Sequence, residues 1–94
     1  MPNDRRLEIK RLDPEVFEVS VNGRPPSRHT VSLTAVRYQE LTRGQATPEA
    51  LIEYSFTFLL DREPNTSILR QFDLGVISRY FPEYPDAVRD WLAD

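Results

Sequence analysis

His29 is the only histidine in the chain, and it lies two residues from Ser27. A histidine paired with that serine hydroxyl, or with a carboxylate, could act as a base, provided a partner orients the ring. Ser27 sits in a proline-rich loop, however, and no strand-turn-helix nucleophile motif of the Gly-x-Ser-x-Gly kind is present. The bland reading, a half-buried histidine hydrogen-bonded at a sheet edge, is preferred. No catalytic residue is assigned and the chain is not read as an enzyme.

Other chemistries are bounded by composition. With no cysteine and one histidine, the usual zinc and iron ligand sets cannot be assembled. Glu83, Asp86, Asp90 and Asp94 form an acidic ladder near the C-terminus. They lack the spacing and glycine of an EF-hand loop and read as a solvated helix face. The three glycines, Gly23, Gly44 and Gly75, match no phosphate-cradling pattern. Neither metal nor cofactor is expected.

Two surface features remain as binding candidates. The first is the run from Tyr80 to Pro85, with three aromatics and two prolines in six residues. Tyr80, Glu83, Tyr84 and Pro85 are its candidate contact residues, with Tyr84 expected on the surface and Phe81 in the core. Tyrosine is enriched at binding hot spots. A proline-stiffened connector packing its own aromatics is the competing reading. The second feature is the N-terminal basic cluster Arg5, Arg6, Lys10 and Arg11, which could contact phosphate or an acidic protein surface. Asp4, Glu8 and Asp13 dilute its field, and an ordinary charged edge strand is favoured.

Net charge is −3, unevenly spread: residues 1–47 carry eight Arg/Lys against six Asp/Glu, residues 48–94 four against nine. Phosphate neutralisation drives nucleic-acid affinity, so the acidic balance disfavours a general nucleic-acid binder. Residues 67–81 superficially resemble a helix-turn-helix. Pro82 cuts the second helix short, and only Arg70 and Arg79 are basic there. All but Lys10 of the basic residues are arginine, the codon signature of a GC-rich, bacterial genome in this reading. No signal-peptide core or membrane-spanning run is found, so a soluble, cytoplasmic chain is expected.

The elements that position these residues follow from periodicity. Residues 7–12, 15–21 and 28–33 alternate apolar with polar side chains, as half-buried strands do. Asp13-Pro14 and Asn22-Gly23 supply the turns. Thr34 is placed to cap a helix over residues 35–43, stopped by Gly44. Thr47-Pro48-Glu49 is a stronger start signal. The helix it opens, about 48–62, keeps only Glu53, Thr57 and Asp61 in its polar stripe. A helix so apolar must be central, with the sheet on one side and helices on the other. Tyr54 falls at the stripe's edge, its hydroxyl expected in water.

Pro64, Pro82 and Pro85 divide the remainder. A turn from Asn65 or Thr66 carries Ile68, Leu69 and Phe72. Asp73 caps a short helix bearing Leu74, Ile77 and Phe81, and Pro85 opens a last helix bearing Val88, Trp91 and Leu92. The expected fold is one α+β domain over residues 1–94, with only residues 1–5 free to fray. It has a two- or three-stranded antiparallel sheet followed by four or five helices. The expected function is a small non-catalytic protein-interaction or adaptor domain, with a protein partner or a second copy of itself. The alternative is a nucleic-acid-associated protein using the N-terminal arginines.

Overall fold

A computed structural model describes residues 7–94. The fold is α+β, in the order β1 (Leu7–Asp13), β2 (Val16–Val21), β3 (Ser27–Ser32), α1 (Ala35–Thr42), α2 (Pro48–Leu60), β4 (Gln71–Asp73), α3 (Ile77–Tyr80) and α4 (Tyr84–Ala93), with single 3₁₀ turns at Asn65–Ser67 and Leu74–Val76. Arg5 and Arg6, and the expected fraying of residues 1–5, lie outside the described residues.

The sheet has four strands in the order β1-β2-β3-β4. The first three form the antiparallel meander that the alternating runs predict, with Ile9 opposite Val19 and Val19 opposite His29. β4 adds a parallel strand beside β3, with Phe72 opposite Val31. This corrects the expected two- or three-stranded, purely antiparallel sheet. Three residues are too few to show a period, and Gln71-Phe72-Asp73 becomes a strand only by pairing with β3. β3 therefore lies inside the sheet, and His29 is not at an edge.

One sheet face is dry. Phe17, Val19, Val21, Val31 and Phe72 are buried there with His29, and α2 packs over them. Phe56 of α2 lies 5.5 Å from the His29 ring and 6.0 Å from Phe72. The opposite flank of α2 meets α4, where Tyr54 stacks on Trp91 at 4.7 Å between ring centroids. The helix is thus central, as its apolar circumference requires. The Tyr54 hydroxyl, expected in water, donates instead to the Ala87 carbonyl at 3.2 Å.

The helix boundaries obey the local signals. Thr34 and Thr47 accept from the amides of Arg37 and Ala50, each at 3.1 Å. Asp73 accepts from Gly75 N at 2.9 Å. α1 ends in two left-handed residues, Arg43 at φ 52° and Gly44 at φ 76°. The segment 67–81 that resembles a helix-turn-helix is a 3₁₀ turn, a strand, another 3₁₀ turn and one turn of α-helix, so it holds no recognition helix.

Candidate functional site

His29 is 1% exposed and hydrogen-bonded at both nitrogens. Nδ1 is 2.8 Å from the Leu69 carbonyl and Nε2 is 2.8 Å from Ser27 Oγ. A carbonyl only accepts, so Nδ1 carries a proton; where Nε2 carries none, it accepts from Ser27. Ser27 Oγ in turn accepts from Asn65 Nδ2 at 2.8 Å, and the second Nδ2 proton goes to the Pro25 carbonyl at 2.9 Å. The chain Asn65–Ser27–His29–Leu69 uses each of these donors.

By distance, Ser27 and His29 stand as a nucleophile stands to its base. The group behind the ring is a neutral carbonyl, the ring packs on Phe56, and the hydroxyl is already both donor and acceptor. The network ties residues 22–27 to the segment between α2 and β4. Gly23 shows how closely, since a Cβ there would come within 2.6 Å of Asn65 Oδ1. Ser27 is the partner that spacing suggests for His29, whereas Asn65 and Leu69 carry no such signal and come in from about forty residues away with the pairing of β3 and β4.

The Tyr80–Pro85 cluster divides between surface and core. Tyr80 is 67% exposed, whereas Tyr84 is fully buried. This corrects the expectation that Tyr84 lies on the surface. α4 begins at Tyr84, so its first turn points the ring inward, edge-on to Phe58 at 5.3 Å. The Tyr84 hydroxyl meets Ser55. Glu83 is exposed and holds Arg62 at 3.3 Å, and that guanidinium lies 3.5 Å over the Phe58 ring. Pro85 sits in the first turn of α4. Phe81 meets Phe58 edge-on at 5.8 Å.

Tyr80 belongs to a different surface. With Leu69, 49% exposed, it rims an open apolar groove of about 250 Å³ floored by Leu59, Phe72 and Ile77. Glu63 is the one charged side chain among the residues that line it. Leu69 is part of the turn expected after Pro64, but nothing in the sequence brings it against Tyr80. The floor requires β4.

The basic cluster is not gathered in space among the described residues. Lys10 and Arg11 are successive strand residues and point to opposite faces of β1. Arg11 is turned inward over Phe17, 5.3 Å from the ring, and lies 3.6 Å from Glu49. Among the described residues no group of three or more His, Asp or Glu is placed to hold a metal ion. Among the described residues no helix is long and apolar enough to cross a membrane. Comparison of the chain with protein-family models, with curated proteins and with solved structures finds no match.

Proposed function

We propose that this chain is a small non-catalytic protein-interaction domain that receives an apolar side chain of a partner in the groove between Leu69 and Tyr80. The observation that carries the reading is two large apolar side chains left in water at the rim of a hollow with an apolar floor. Contiguous exposed apolar surface of this kind marks association sites, and tyrosine is a preferred hot-spot residue.

Charge complementarity narrows the partner. Glu63 carries the groove's negative charge, and the half of the chain that builds the groove has nine acidic residues against four basic. The favoured ligand is a segment with an aromatic or branched aliphatic anchor next to a lysine or arginine.

A random peptide library displayed against the immobilised full chain tests this. Enriched peptides are expected to share an apolar anchor beside a basic residue. Their affinity is expected to fall on the order of tenfold in Tyr80→Ala, and to fall as salt rises. Failure to enrich such peptides, or binding indifferent to Tyr80→Ala and Leu69→Ser, overturns the reading.

A further inference from the structure

β1 is the outer strand of the sheet, and among the described residues no strand pairs with its free edge. The hydrogen-bond pattern fixes which residues face that edge. Thr30 N donates to the Arg70 carbonyl, and Leu33 N donates to the Glu15 carbonyl. Even-numbered residues of β3 therefore face β4, and odd-numbered ones face β2. Since Val19 pairs with His29, the odd residues of β2 are committed to β3 and its even residues to β1. Glu8 and Lys10, opposite Ser20 and Glu18, consequently spend their backbone groups on β2. The outward N–H and C=O groups belong to Leu7, Ile9 and Arg11.

These outward groups suit an antiparallel copy of the same strand. Pairing about a two-fold axis at Ile9 sets Ile9 against Ile9 and Leu7 against Arg11, all outward-facing. The same register sets Glu8 of each copy directly opposite Lys10 of the other, on the wet face. They occupy the non-hydrogen-bonded positions, where side chains approach most closely. Centring the axis one residue either way opposes Glu8 to Glu8 or Lys10 to Lys10, which is repulsive. Glu18, the neighbour of Lys10 within the sheet, is engaged 4.0 Å away by Arg28. On the core face, half-buried Ile9 and Leu7 gain cover, with Leu7 lying along the Arg11 stem that Phe17 and Glu49 hold in place.

We propose that two copies of this chain associate through β1, antiparallel and centred on Ile9, to form a continuous eight-stranded sheet. Charged edge residues ordinarily block indiscriminate strand addition. Here the same residues repel most strands yet complement their own. The irregularity between Arg11 and Asp13 ends the pairing and confines it to one register.

Sedimentation velocity across a concentration series of the full chain tests the proposal. The wild type is expected to dimerise. Lys10→Glu and Glu8→Lys are each expected to weaken the dimer on the order of tenfold or more, because each places like charges opposite one another twice per dimer. The double variant Glu8→Lys/Lys10→Glu recreates the opposite-charge pairs and is expected to regain wild-type association. An equimolar mixture of the two single variants is expected to form heterodimers. Both side chains are exposed, and circular dichroism of each variant checks the fold. A wild type monomeric throughout the series, or a dimer indifferent to these charges, overturns the proposal. Tyr80→Ala is expected to leave the dimer intact, so failure here and failure of the groove reading are told apart.

Discussion

The Tyr84 hydroxyl donates to Ser55 Oγ, whose own proton goes to the Leu51 carbonyl at 2.7 Å. Two buried hydroxyls thus bind the first turn of α4 to the middle of α2. Burial pushes the Tyr84 phenol well above its ordinary value of 10.0, against the smaller, opposing effect of the Ser55 hydrogen bond. The folded chain keeps this proton where the unfolded chain has lost it. The associated stability is complete below pH 10 and declines as pH rises beyond it. Denaturant midpoints above pH 10 are expected to fall with pH more steeply in the wild type than in Tyr84→Phe. At neutral pH that variant is expected to lose about 1 kcal/mol with the hydrogen bond. Equal slopes for the two proteins would mean that Tyr84 does not titrate on unfolding.

Gly23 leaves room for nothing larger than hydrogen. Gly23→Ala forces Asn65 away from Ser27 or shifts the loop, with an expected cost of about 1–3 kcal/mol. Thermal unfolding followed by the fluorescence of Trp91, stacked on Tyr54, measures it. Gly44 has open space around its Cβ position but a positive φ, so Gly44→Ala is expected to be costly through backbone strain alone.

His29→Leu leaves the Leu69 carbonyl and the Ser27 hydroxyl without their partner, and a loss of about 1–3 kcal/mol is expected. Ser27→Ala leaves His29 Nε2 and one Asn65 proton unmatched and falls in the same range. The proposed non-catalytic role predicts that a fluorophosphonate probe leaves Ser27 unlabelled. Stoichiometric labelling at Ser27, abolished in His29→Leu, would reverse that assignment.

Tyr80→Ala and Leu69→Ser remove side chains that already face water. Their melting temperatures are expected to stay close to wild type, within about 0.5 kcal/mol of stability. A large destabilisation of either would show that the rim is part of the core.

The legible parts of the molecule were those set by local rules. Alternation located β1, β2 and β3. Thr34, Thr47 and Asp73 marked helix starts, and the narrow polar stripe of α2 required its central place. Contacts made across long sequence separations were not legible. β4 has no period of its own, and Leu69 reaches His29, and Asn65 reaches Ser27, only because β4 pairs with β3. Proline at position 85 marks the start of α4 without showing which way its first turn faces, so the burial of Tyr84 has no sequence signal. The apolar residues of the groove were visible in the sequence, but their common surface was not.

The late position of β4 in the chain bears on the order of assembly. β1, β2 and β3 are hairpin neighbours and can pair as soon as their turns form, whereas β4 must wait for α1 and α2 to be in place. Pairing over so long a loop, through three residues, makes β4 the strand expected to dock last and detach first. Phe72 lies under the groove and Leu69 at its rim, so this surface exists only while β4 is docked. Amide exchange faster at residues 70–73 than in β2 is the expected signature, and a ligand that slows it would bind by keeping the sheet closed.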